Sequence, residues 1–301
     1  MKKITRFIFF GNLFYGICAI ALSIESTLQQ NFLLKSLTFY SMTFFASVLY
    51  YSLAYLAEKP PINIQNTRAD WYKKHEKSLK NLQLLFLAFL LILFFVFAIK
   101  HRQQLIQLTL FTWLLMLSFP VIAGLYYGFN HRLVRRFKLR TIGWLKPFEI
   151  GFCWAGMVTV YPAIYYCIIN NKSYVISQLG LLLFIKNFMF VSVLSILFDI
   201  KDYASDSNMQ LKTFIVKSGL RKTIFTIILP LSLIGYGSFL AWGINHNFSI
   251  GKTIINSIPF ILLMAVAWSL QKRRSIFYYL IIIDGLMLIK AICGSIAALY
   301  F

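Results

Sequence analysis

Apolar residues along this chain gather into long runs separated by short polar connections. The runs fall near 4–24, 33–57, 81–99, 105–127, 147–169, 177–198, 223–243, 253–270 and 276–298. Each is long enough to cross a hydrocarbon layer of about 30 Å as a helix, which takes about 20 apolar residues. In lipid a backbone must satisfy its own hydrogen bonds, so helices are the expected form. The pattern therefore predicts an all-α fold, a polytopic membrane bundle of nine transmembrane helices. No linker or low-complexity stretch interrupts it, so residues 1–301 read as a single integral membrane domain.

The polar connections carry the charge, and they carry it unevenly. Twenty-three Lys and Arg residues fall at the amino terminus and in the second, fourth, sixth and eighth connections, against five on the other side. Lys186 and Lys290 lie inside runs. Basic residues are retained on the cytoplasmic face. The count thus predicts a cytoplasmic amino terminus, an outer carboxyl terminus and residence in a bacterial inner (plasma) membrane. Met1 to Ile24 has the basic head and apolar body of a signal peptide, but no small-residue cleavage site follows. Glu25 to Asn31 reads as a polar loop, and the first run as an uncleaved span. The net charge of +21, in a chain that is 59% hydrophobic and 18% aromatic, is explained by topology and anionic membrane lipid, so a nucleic-acid partner is excluded. The four cysteines sit inside apolar runs without metal spacing and read as reduced packing residues.

Two long polar connections, Glu58 to Lys80 and Asp199 to Lys222, lie on the predicted cytoplasmic side. After Pro60 and Pro61 stop the second span, Asn66 to Leu79 predicts a short amphipathic helix bearing Arg68, Trp71, Tyr72 and His75. The second connection holds three of the nine acidic residues, Asp199, Asp202 and Asp206. Offsets of three and seven place them within a sector of about 60° on a helix. Three like charges side by side repel one another unless a cation sits among them, and hard carboxylate oxygens suit Mg²⁺. Lys201, Lys212, Lys217, Arg221 and Lys222 follow. Metal-binding carboxylates beside basic side chains are what a diphosphate requires. Inside the spans, Glu149, Lys186, Asn187 and Asp284 are costly polar positions that either pair with each other or line a cavity. Tyr50, Tyr51, Tyr55, Phe188 and Phe190 suit packing, and their π faces also suit a carbocation.

With nine spans and the acidic stretch after the sixth, the sequence resembles the UbiA superfamily of intramembrane prenyltransferases. Asp199, Asp202 and Asp206 match the carboxylates of its second motif, Lys212 and Thr213 a basic-hydroxyl pair, and Gly219 a closing glycine. In WLKPFEIGFCWAG, Lys146 resembles a lysine that approaches the diphosphate. The resemblance implies a cytoplasm-facing central cavity and transfer of a prenyl group from a polyprenyl diphosphate to a lipophilic acceptor, such as an aromatic or quinone precursor. It implies Mg²⁺ held by Asp199, Asp202 and Asp206, catalytic roles for Asp199, Asp202 and Lys146, and substrate contacts from Lys212, Arg68, Lys201 and Asn187. The family's first motif should fall within YYSLAYLAEK, Tyr50 to Lys59, where Glu58 is the only acid. Arg68, Lys73 and His75 are cations that suit direct contact with phosphate there. Two other readings stay open. One keeps the fold without catalysis, binding isoprenoid diphosphate or scaffolding a partner. The other is a transporter using Asp284, Glu149 and Lys186 as a relay.

Overall fold

A computed structural model describes residues 3–32, 34–57, 67–127, 142–208, 212–272 and 274–301. All regular structure among them is helical: α1 (Lys3–Phe10), α2 (Leu13–Gln29), α3 (Leu37–Ala57), α4 (Thr67–Lys74), α5 (Glu76–Lys100), α6 (Arg102–Ile106), α7 (Leu110–Tyr127), α8 (Lys146–Ile169), α9 (Gln178–Asn208), α10 (Phe214–Ser218), α11 (Leu220–Asn245), α12 (Ile250–Ser269) and α13 (Ile276–Tyr300). Six of these, α5, α8, α9, α11, α12 and α13, are long and apolar enough to cross a membrane. The bent pair of α1 and α2 makes a seventh if counted as one span. The apolar helices α3 and α7 occupy the places of the two remaining predicted runs.

Helices α8 and α9 form the centre of the bundle, packed along each other, with α11 against α9, α2 between α3 and α13, and α12 on α13. Gly151 permits the central contact: a Cβ there would lie 2.2 Å from Ser192 Oγ and 2.7 Å from the Phe188 carbonyl. Close approach through small residues is how helices associate where burial gains little over lipid. The principal core joins Trp154, Phe190, Leu197, Leu263, Ile283 and Met287 from four helices. By contrast α5 exposes Leu84, Leu91, Phe94, Phe95 and Ile99 on several sides, as a peripheral helix facing lipid would.

The spans α8, α11 and α13 each contain a five-residue π turn, at Gly156–Val160, Ile224–Ile228 and Tyr279–Ile283. The first two precede Pro162 and Pro230. A proline lacks the N–H that would close the regular ladder, and widening to π spacing absorbs the mismatch. In α7, Pro120 leaves the Met116 carbonyl without its helical donor, and the Tyr161 hydroxyl donates to it at 2.8 Å.

Three sequence expectations shift. Glu25 to Asn31 is not a loop, since α2 continues through Gln29 and Glu25 is buried. The third span starts at Glu76 rather than 81, directly after α4, which takes the place of the expected amphipathic helix. The sixth helix does not stop at 198 but runs on through the acidic stretch to Asn208.

Candidate active site

The start of α8 and the end of α9 meet at one mouth of the bundle. Pro147 in the first turn of α8 suits a position where no helical N–H is needed. The preceding Lys146 donates from Nζ to Asp199 Oδ1 at 2.7 Å. Asp199 is fully buried, while the Lys146 side chain keeps 21% exposure. A buried carboxylate thus fixes a partly exposed ammonium. The segment before α8 also touches the second motif, because a Cβ on Gly143 would lie 2.8 Å from both the Lys212 carbonyl carbon and the Thr213 nitrogen.

Within that motif, Thr213 caps α10 by accepting from the Val216 N–H, and Gly219 turns the chain into α11 with φ 76°, a left-handed value that favours glycine. Lys212 is exposed, and the Lys201 ammonium lies 6.0 Å from the Phe198 ring. Asp202 and Asp206 lie on α9, so their helical offsets from Asp199 hold along the backbone. Their side chains lie outside the described residues, as do Tyr55 and the segment of Glu58 where the first motif is expected.

A second group lies deeper. The π turn at Tyr279–Ile283 precedes Asp284, which is buried, hydrogen-bonded by Tyr15 and near the charges of Arg68 and Lys201. Tyr15 stacks on Tyr51 with centroids 4.2 Å apart, and the Trp154 indole donates to the Tyr51 hydroxyl at 2.6 Å. Arg68 is buried and donates to the Phe10 carbonyl at 3.2 Å and to Asn12 Oδ1. Asn187 is buried too, donating to Thr159 Oγ1 at 2.8 Å.

A third group sits toward the opposite end, where sequence reasoning singled out Lys186 but missed its partners. Lys290 donates to Glu25 Oε2 at 2.7 Å, Gln29 to Glu25 Oε1 at 2.9 Å, and Lys186 to Asn256 Oδ1 at 2.8 Å. Lys186 stands 3.8 Å from Glu25 and 3.8 Å from the Phe239 ring centroid. Gly294 makes room, since a Cβ there would lie 2.3 Å from Glu25 Oε1. Of the two expectations for the intramembrane charges, mutual pairing is not what the structure shows. Lys186 turns to Glu25 and Asn256, Asp284 to Tyr15, and both carboxyl oxygens of Glu149 are buried without a hydrogen-bond partner among the described residues. The signal for Glu25 was its spacing: Ser26, Gln29 and Glu25 continue the helical period of α2 beyond the apolar run.

From the Lys146 mouth, phenylalanines Phe148, Phe188, Phe184, Phe152 and Phe119 touch in sequence, with centroids 4.9 to 6.4 Å apart. Phe119, Phe152 and Phe184 line a cavity of about 400 Å³ between α7, α8 and α9, with Tyr166, Tyr174 and Leu181. Its lining is mainly apolar, suited to a hydrocarbon chain.

The aspartates on α9 fit a hard divalent cation by donor chemistry, three carboxylates at helical spacing on one continuous helix. Among the described residues, no group of three His, Cys, Asp or Glu converges.

No protein-family model and no curated protein matches the sequence. Among solved structures, that of a digeranylgeranylglyceryl phosphate synthase studied in membranes is similar. It is 16% identical, with 100% of each chain covered and a TM-score of 0.57. The likeness shows that the chain shares this structure's fold over its full length.

Proposed function

We propose that this chain is a UbiA-type intramembrane prenyltransferase that moves a prenyl group from a polyprenyl diphosphate to a lipophilic acceptor, with Mg²⁺. The observation that carries this reading is the Lys146–Asp199 pair at 2.7 Å, half in and half out of the bundle mouth of this fold. An ammonium fixed by a buried anion is preorganised to meet a phosphoryl oxygen with little reorganisation. Lys212, exposed on the segment that packs against Gly143, and Lys201 add cations, and Arg68 and Asn187 complete the proposed substrate contacts. Asp199, Asp202 and Asp206 would hold Mg²⁺, which when bound would neutralise diphosphate charge.

In the proposed reaction the allylic carbon–oxygen bond breaks and the diphosphate leaves with the electron pair against Lys146. The Tyr51 and Trp154 rings would offer their π faces to the resulting carbocation. The acceptor's nucleophile bonds to that carbon and gives up its proton. The hydrocarbon tail follows the phenylalanine row toward the apolar cavity. We assign the Lys146 mouth to the cytoplasmic side of a bacterial inner membrane, from the distribution of basic residues.

The test incubates purified protein with radiolabelled farnesyl and longer diphosphates, with Mg²⁺ and then with EDTA. The expected result is acceptor-dependent diphosphate release that EDTA abolishes and Asp202→Ala strongly reduces. Binding without release, at the same level in Asp202→Ala, would leave a diphosphate-binding protein and remove the metal-dependent transferase.

A further inference from the structure

The first helix differs from the bundle in direction and in chemistry. Between α1 and α2 the chain bends by 63°, with Asn12 at a left-handed φ of 63°. Asn12 is fully buried, and its amide donates to Ser52 Oγ and to the Tyr72 hydroxyl, each at 3.0 Å. The last carbonyls of a helix lack intrahelical donors. Here the Phe10 carbonyl accepts from Arg68 at 3.2 Å and from Tyr72 at 2.9 Å, and the Phe9 carbonyl from Arg68 at 3.4 Å. A guanidinium at a helix C-terminus also meets the negative end of the dipole. The Phe10 ring stacks on Phe277 at 5.3 Å and meets the Trp71 ring edge-on at 5.8 Å. The end of α1 is thereby bolted to α3, α4 and the start of α13.

The remainder of α1 faces outward. Ile4 and Phe7, neighbours one turn apart, are 71% and 43% exposed. Arg6 is exposed about half a turn from Ile4. On α4 and the start of α5, Lys73, Lys74 and Lys77 are exposed, with Asp70 an exposed acid on α4 and Glu76 taken by Lys80 at 2.6 Å. An apolar ridge flanked by cations, turned well away from the span axis, is the form of a helix lying in a headgroup layer. Four exposed cations, on α1 and on the α4–α5 turn whose Arg68 and Tyr72 hold the end of α1, complement an anionic lipid surface.

We propose that α1 and the adjoining face of α4 form a docking surface for anionic lipid headgroups, and that lipid bound there holds α1 against Arg68 and Tyr72. Because those two side chains join α1 to α4 and, through Phe10, to the start of α13, the lipid steadies the rim of the mouth. This inference stands apart from prenyl transfer, and its test reads no catalysis.

The full chain is placed in nanodiscs of phosphatidylcholine alone or with a third phosphatidylglycerol, and backbone hydrogen exchange is followed in residues 4–10. Exchange should slow by about tenfold with anionic lipid, the attraction of one or two basic residues to the surface, and the gain should vanish in about 0.5 M NaCl, where the screening length is about 4 Å. Arg6→Glu and the double variant Lys73→Glu, Lys74→Glu should each lose the gain, with unchanged exchange in α8 and α9 reporting an intact bundle. Equal protection in both lipids would overturn the charge recognition. Rapid exchange in both would overturn the docking itself.

Discussion

Lys186 and Lys290 share one carboxylate, and they do not share it equally. Lys290 holds Glu25 at 2.7 Å, whereas Lys186 is 3.8 Å from it and spends its donor on Asn256. Two ammonium groups against one carboxylate leave a surplus cation in an apolar medium, where unpaired charge is expensive. Removing each lysine should therefore have unequal consequences. Lys290→Met should destabilise the protein by about 3–5 kcal/mol, the range for breaking a buried pair. Lys186→Met should cost far less, within about 1.5 kcal/mol, since it removes the surplus charge and leaves the closer pair intact. Unfolding in detergent micelles distinguishes the two, and equal losses would contradict the assignment. The cluster also marks where residue-level legibility ends. Lys186 was visible as a charge inside an apolar run, but its partners lie 161 residues earlier and 70 residues later, distances no local pattern encodes.

At the scale of elements, apolar run length places the six long spans α5, α8, α9, α11, α12 and α13, because a span's length is imposed by the bilayer. The predicted run of 147–169 becomes Lys146–Ile169, and 276–298 becomes Ile276–Tyr300. Polar helix ends are harder, since Ser, Glu, Thr and Gln at the end of α2 look like a loop until their buried partners are known. The π turns are equally invisible, being settled by packing and proline placement rather than by hydropathy. Tyr161 tests this level. It supplies the donor that Pro120 denies the Met116 carbonyl, so Tyr161→Phe should cost about 1–3 kcal/mol, the penalty for an unsatisfied buried carbonyl. Thermal unfolding in micelles measures it, with wild-type stability as the contrary result. The amphipathic stretch after Pro61 was legible as a helix, while the clamping of α1 by its Arg68 and Tyr72 was not.

For the whole molecule, the sequence placed anionic and cationic side chains at one mouth of a helical bundle, and the structure brings two of them together from helices 53 residues apart. The remaining carboxylates of the motif share α9 with Asp199, which keeps the spacing argument at the level of the backbone. The central claim is that the Lys146–Asp199 pair serves a leaving diphosphate rather than merely the packing of α8 on α9. The most direct measurement is the initial rate of diphosphate release by Lys146→Met beside wild type, at saturating Mg²⁺ and with unfolding followed in the same preparation. Loss of one preorganised donor at developing charge predicts a fall of about 10²–10³ in that rate with the fold retained. Release at the wild-type rate from folded Lys146→Met would contradict it.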